Sequence, residues 1–299
     1  MSTAAVGSAF RPRTHPSFGG AVRAELLKIR RQAMTWVLLA LAAVAAAVAL
    51  GEVLATGRPN FDAHPAVFYF TYLTVSLALF NVLSGIFLLA VTARLVGMEY
   101  SGGTVRIVLA RGTARLQLLA AQLVAAAVWG LALLAGFIVV AAAVLGLAVR
   151  AWAGSLSPLT SLGAAARTDA AICLLLALVS MGVCILLATA AAALGRSLPF
   201  AMGVALAFFP ADNFGIIVMQ LLARATHDQQ TWYWFTQWFL GPSLNDLGAR
   251  LMTDHPAAAF LPTSPLALTA GHLWAVIGAW SLLFLATAVL LTWRRDVLE

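Results

Sequence analysis

The sequence predicts an all-α, polytopic membrane protein with six transmembrane helices. Two observations carry this. The 299 residues are 62% hydrophobic and only 10% charged, against about 45–50% and about 25% in a soluble domain, so the apolar excess has to face something other than water. Six apolar stretches, at about 34–55, 67–93, 117–149, 170–194, 198–222 and 270–293, each supply the ~20 helical residues that a bilayer of about 30 Å requires. An ordinary soluble enzyme is excluded.

Residues 1–17, with Pro12, Pro16 and small polar side chains, read as a disordered cytoplasmic leader, and residues 18–299 as the membrane domain. Ahead of the first span, Val22, Leu26, Ile29 and Ala33 recur at helical spacing, with Arg23, Lys28, Arg30 and Arg31 on the other faces. This is an amphipathic helix whose basic face suits anionic headgroups and whose stripe suits the acyl boundary. The plainer alternative is a charged flank that only fixes topology. The first apolar run starts near Met34, is too long for a signal-peptide core, and is expected to stay as an anchor. Its alanine-rich stretch Ala42 to Ala47 points to close helix packing.

On the second span, Asn81 and Ser84 are candidates for lining a pathway, or for bonding a neighbouring helix. The loop that follows, Glu99 to Thr113, describes a short helix between two breaks. Gly102 and Gly103 permit a reversal, Thr104 caps the start, Gly112 ends it, and Thr113 caps the third span. Val105, Ile107, Val108 and Leu109 alternate with Arg106 and Arg111, an apolar surface that wants a partner. Arg115 and Gln117 at the start of the third span place its first turns outside the lipid. In the fourth span Cys173 and Cys184 lie eleven residues apart, about 16 Å along a helix, too far for a disulfide. Gly195, Arg196 and Ser197 alone join the fourth and fifth spans, so these form a tight hairpin.

Within the fifth span, Pro210, Asp212 and Asn213 interrupt the apolar run. Asp212 lies about 21 Å of helix rise beyond Leu198. An ionisable group at that depth marks a functional site by default, unless the helix breaks at the proline and Asp212 caps a short outer helix in water. Between the fifth and sixth spans, Trp232, Tyr233, Trp234, Phe235, Trp238 and Phe239 crowd together as at a membrane surface. They predict a helix in the outer leaflet, then Gly241-Pro242 and a second helix over about Leu244 to Met252. The segment reads either as an aromatic belt or as an exit lid for a hydrophobic substrate.

The net charge of +7 resolves into a topology rather than a nucleic-acid surface. Arg11, Arg13, Arg23, Lys28, Arg30, Arg31, Arg94, Arg106, Arg111, Arg115, Arg196, Arg294 and Arg295 fall on one side of the predicted spans; Arg58, Arg150, Arg167, Arg224 and Arg250 fall on the other, diluted by four aspartates. Cations gather on the cytoplasmic side, so both termini are expected there, in the cytoplasmic (inner) membrane. The only lysine, Lys28, follows Leu27 and not glycine, so the chain has no phosphate-binding P-loop. The five histidines have no metal-ligand spacing, and no metal or catalytic residue is expected.

Residues Glu99 to Leu123 resemble the cytoplasmic loop and following helix of type 2 ABC transporter permeases, in Glu99, Gly103, Thr104, Arg106, Arg111 and Arg115. Glu25 to Arg31 is similar to the same family's elbow helix, and Arg294-Arg295-Asp296 to its usual ending. Gly112, Ala114 and Gln122 depart from the family's common proline, serine and lysine. The resemblance implies a permease subunit of an ATP-driven exporter that moves an amphipathic or hydrophobic substrate by alternating access. The loop helix, with Glu99, Gly103, Thr104, Arg106, Leu109 and Arg111, is then a coupling helix seated in a separate ATPase subunit, and Glu25, Lys28, Arg30 and Arg31 belong to the elbow. The resemblance further implies no cofactor in this chain, ATP and Mg in the partner ATPase, and a second permease copy or paralogue. A pathway between the two permeases would be lined mainly by the first, second and fifth spans. Beside Asn81, Ser84, Asp212 and Asn213 as pathway candidates stands a different class, a secondary transporter with Asp212 as ion or proton carrier.

Overall fold

The computed structural model describes residues 17–102, 114–160, 162–252 and 262–294. The leader other than Ser17, the loop from Gly103 to Thr113, and Arg295 and Asp296 lie outside them. Ten helices occur among the described residues: α1 (Phe18–Arg31), α2 (Ala33–Ala63), α3 (Pro65–Ser101), α4 (Arg115–Ala153), α5 (Ser157–Thr160), α6 (Gly163–Gly195), α7 (Leu198–Thr226), α8 (Gln229–Thr236), α9 (Leu240–Leu251) and α10 (Ala270–Arg294). Six of them, α2, α3, α4, α6, α7 and α10, are long and apolar enough to cross a membrane. They run alternately up and down, so the bundle has a basic end, with α1 and the α6–α7 turn, and an aromatic end, with the α2–α3 turn, α8 and α9.

α1 starts where the Ser17 hydroxyl accepts the Gly20 N–H at 3.1 Å, and Lys28, Arg30 and Arg31 in its last turn complement the helix dipole. It stops at Gln32, which is extended. Two of its orphaned carbonyls are taken up across the break: Thr35 Oγ1 donates to Ile29 O at 2.9 Å and Trp36 Nε1 to Arg30 O at 2.8 Å. Ile29 is buried, and α1 packs chiefly on α4. Val22 and Leu26 extend the expected stripe, but Ala33 already belongs to α2.

The spans are longer than the hydropathy alone indicates. α2 continues eight residues past 55, through Pro59, and a single residue, His64, separates it from α3. Arg58, Pro59, Asn60 and Asp62 look like a loop in sequence, yet Phe61 is buried against Phe68 and Trp152. Packing of this one side chain holds the polar turn helical. α4, at 39 residues, is about 58 Å long and outreaches the bilayer, in keeping with Arg115 at its start.

α6 is the central helix, packed against α3, α7 and α10. Close packing by alanine occurs here, at Ala188 and Ala190 to Ala193, all buried. In the Ala42 to Ala47 run of α2 only Ala46 is buried within this chain. Small residues bring helices close elsewhere too: a Cβ on Gly97 would lie 3.2 Å from Leu198 Cα, and one on Gly130 would lie 2.6 Å from the Met181 methyl. Cys173 and Cys184 are both free and buried. Arg196, in the left-handed region at φ 50°, makes the α6–α7 turn, and Ser197 caps α7. The expected hairpin is present.

Candidate functional site

Two places gather polar groups in this apolar bundle. At the basic end Lys28 stands between Glu25 of its own helix and Glu99 near the end of α3. Its ammonium donates to Glu25 Oε1 at 2.7 Å and to Glu99 Oε1. Both carboxylates are buried, 2% and 7% exposed, while the Lys28 side chain is 41% exposed. Burial pushes the Glu25 carboxyl above its ordinary value, more than Lys28 pulls it down, and Glu99 adds to the rise. Burial alone would lower Lys28, but the two carboxylates outweigh it and hold the ammonium above its usual value. Glu25 Oε2 is buried without a partner.

This cluster joins residues that sequence placed in two separate sets, Glu25 and Lys28 in one and Glu99 in the other. Arg30 and Arg31 are exposed and take no part. Gly103, Thr104, Arg106, Leu109 and Arg111 lie outside the described residues. The chain enters their loop from a pinned root, because Ser101 Oγ also accepts the Leu198 N–H at 2.9 Å. The end of α3 is therefore tied to α1 on one side and to the first residue of α7 on the other. Ser101 was not anticipated; a serine within two residues of a helix end, facing another helix start, is its only signal.

The second place is a cavity of about 330 Å³ at mid-depth, walled by α3, α6, α7 and α9. Its lining includes three exposed side chains, Val82 and Ile86 of α3 and Phe214 of α7. Asn81 and Asn213 line it. Ser84 is buried and does not line it, and Asp212 does not either. The Asn81 Oδ1 and Ser84 Oγ atoms are buried without partners. The lining contains no charged side chain. None of its lining comes from α2, and Ser180 and Cys184 of α6 contribute to it.

The helix does not break ahead of Asp212. α7 does not end at Pro210 but runs on for sixteen residues to Thr226. The Asp212 carboxylate reaches sideways to the amino terminus of α9, accepting the Gly241 N–H at 2.5 Å, with a second contact from the Leu240 backbone. It thus caps a helix 29 residues away in sequence, where the dipole and the open N–H groups favour a negative charge. A Cβ on Gly241 would come within 2.6 Å of Asn213 Nδ2 and 3.1 Å of Asp212 Oδ2, so glycine permits the approach. α9 begins at Leu240 and contains the Gly-Pro pair, four residues earlier than expected.

Asn213 completes the attachment. Its Oδ1 accepts from Asn245 Nδ2 at 2.8 Å, and the same Asn245 nitrogen also donates to Pro262 O at 3.0 Å. Asn245 escaped the sequence reading, although Gly241, Asn245 and Gly248 share one helical face of small and polar residues. α9 is inserted rather than laid on the surface: Leu240, Leu247 and Gly248 are buried among α6, α7 and α10. Trp234 and Phe235 of α8, and Trp238 just beyond its end, are exposed.

The family model of the ABC-2 family transporter proteins matches residues 21–209, from α1 to the middle of α7. No curated protein matches the chain.

Proposed function

The chain belongs to the ABC-2 transporter family, and from that premise we propose that it is the membrane-spanning subunit of an ATP-driven exporter working with a separate ATPase chain. The membrane permease component follows from the family and the six spans. The observation that carries the rest is the Glu25–Lys28–Glu99 cluster at the root of the loop 103–113. The end of α3 is tied to α1 and α7, so a displacement passed to it from an ATPase would reach all three helices, and coupling needs such a shared element that both sites bias. In this reading the loop is the coupling helix, α1 the elbow, and both termini are cytoplasmic in the inner membrane.

ATP and Mg would bind the partner, because the sole lysine sits in the ionic cluster and not in a phosphate loop. Two permease copies, or this chain and a paralogue, would frame the pathway. The mid-depth cavity, apolar with amide groups and no charge, is the pathway element within one copy and suits an amphipathic or hydrophobic substrate. Asp212 is engaged at the α9 terminus, so nothing favours it as an ion carrier over this reading.

The test is purification of the chain with its ATPase into lipid vesicles, with ATP turnover and substrate movement measured together. Glu99→Gln is expected to lower transport per ATP hydrolysed by about tenfold, the equivalent of ~1.4 kcal/mol of coupling, while the protein elutes and melts normally. Unchanged transport per ATP would remove the loop root from the mechanism.

A further inference from the structure

α1 and α4 enclose a groove of about 350 Å³ that the coupling role does not use. Arg23 and Arg30 stand at its rim, seven residues apart on one face of α1 and so about 10 Å apart along the axis. Its floor is apolar: Leu26, Leu27, Val128, Trp129 and Ala132. Leu27 and Val128 are exposed, as is usual for groups that meet acyl chains. Lys28, Arg58 and Arg250 are engaged in ion pairs, and Arg23 and Arg30 make none with the described residues. Two guanidiniums with no ion-pair partner among the described residues, set over a hydrocarbon floor, are complementary to one kind of molecule, an amphiphile with an anionic head.

The groove is also held in shape. Trp36 stacks edge-on against Trp129 at 6.4 Å between ring centroids, and its own indole N–H is fixed on the Arg30 carbonyl. The floor and one rim residue are thereby braced by the same side chain before any ligand arrives, which lowers the ordering cost of binding.

We propose that this groove between α1 and α4 holds one anionic phospholipid of the surrounding leaflet, its phosphate between Arg23 and Arg30 and an acyl chain on Leu27, Val128 and Trp129. A soluble phosphate fits the rim but leaves the floor bare, so the lipid is the occupant. The site concerns this chain alone and stands apart from the transport reading. A bound lipid would fasten α1 to α4 on the face opposite its tie to Glu99.

The experiment is native mass spectrometry of the full-length chain released from detergent, titrated with phosphatidylglycerol or phosphatidylcholine. Wild type is expected to retain one phosphatidylglycerol and to prefer it over phosphatidylcholine. Arg23→Gln/Arg30→Gln should weaken phosphatidylglycerol by about thirty-fold, at ~1 kcal/mol per basic residue. Arg31→Gln/Arg294→Gln, the same charge loss outside the groove, should leave it within about twofold. Ala132→Trp, which fills the floor and keeps both arginines, should also expel the lipid. Equal retention of the two lipids, equal loss in the control pair, retention in Ala132→Trp, or displacement by millimolar inorganic phosphate would each overturn the proposal. Should the arginine pair fail to fold, Ala132→Trp with the phosphate competition decides it.

Discussion

Lys28 shows how much rests on one residue in a chain with one lysine. It faces two buried carboxylates, so Lys28→Met removes the ammonium that Glu25 and Glu99 share. The expected cost is about 2 kcal/mol, below the 3–5 of a fully buried pair because the ammonium is partly solvated. Glu25→Gln should be neutral or stabilising at pH 7, since the charged form of Glu25 is the form that burial disfavours. The sign follows from its raised value: the contribution of Glu25 is complete below 4.5 and is lost as the pH rises through the raised value. Mild acidification should therefore raise the melting temperature of the wild type relative to Glu25→Gln, read by thermal unfolding in detergent at pH 7 and pH 5. The helix carrying Lys28 was legible from its spacing, but the meeting with Glu99 was not. The two residues are 71 positions apart, and no local pattern reports a contact made by folding.

At the scale of elements, α9 is the piece whose place depends most on polar contacts. Its start is held by Asp212 and its middle by Asn213 through Asn245. Asp212→Ala should cost about 1–2 kcal/mol, as for the loss of an N-cap, and loosen the α9 wall of the cavity. Cys184 lines that cavity and offers the measurement: its labelling by N-ethylmaleimide should accelerate several-fold in Asp212→Ala and in Gly241→Val. Equal labelling rates in wild type and both variants would detach Asp212 from α9. The sequence made the six spans plain, because apolar length is a local property. It made the ends of α2 and α3 less plain, because Phe61 and Glu99 are held by tertiary contacts at helix turns that are polar in sequence. For α9 the aromatic cluster beside it masked the signal, and a helix inserted between others looks, in sequence, like a helix lying on a membrane.

For the whole molecule, the distribution of cations predicts orientation. A single cysteine at Arg196, in the α6–α7 turn, should react with an impermeant maleimide only when the inner face is open to it; one at Gln230, in α8, should react from outside. Both should be introduced with Cys173 and Cys184 replaced, and reversed accessibility would invert the assignment of the basic end. The separate ATPase is likewise a whole-molecule expectation, checked by recovery of a stable complex when the two chains are expressed together. Asn81 and Asn213 line the cavity within this chain together with Ser180 and Cys184, which sequence did not single out because they look like any buried positions in an apolar helix.

The smaller apolar cluster has a consequence for biogenesis. Leu50, Phe61, Phe68, Tyr72, Ala141, Leu145 and Val149 all belong to the first three spans, and Tyr72 donates to the Ala141 carbonyl at 2.8 Å. This knot needs nothing made later by the ribosome. The larger cluster, by contrast, is built around α6 and cannot close until the fourth span is released. Synthesis thus delivers a three-helix unit that can associate in the bilayer while the remainder of the chain is still in the translocon. A nascent chain stopped after Gly154 should already protect its tyrosine hydroxyl from the lipid, and the turn at Arg196 then swings the last helices onto a scaffold that is waiting for them.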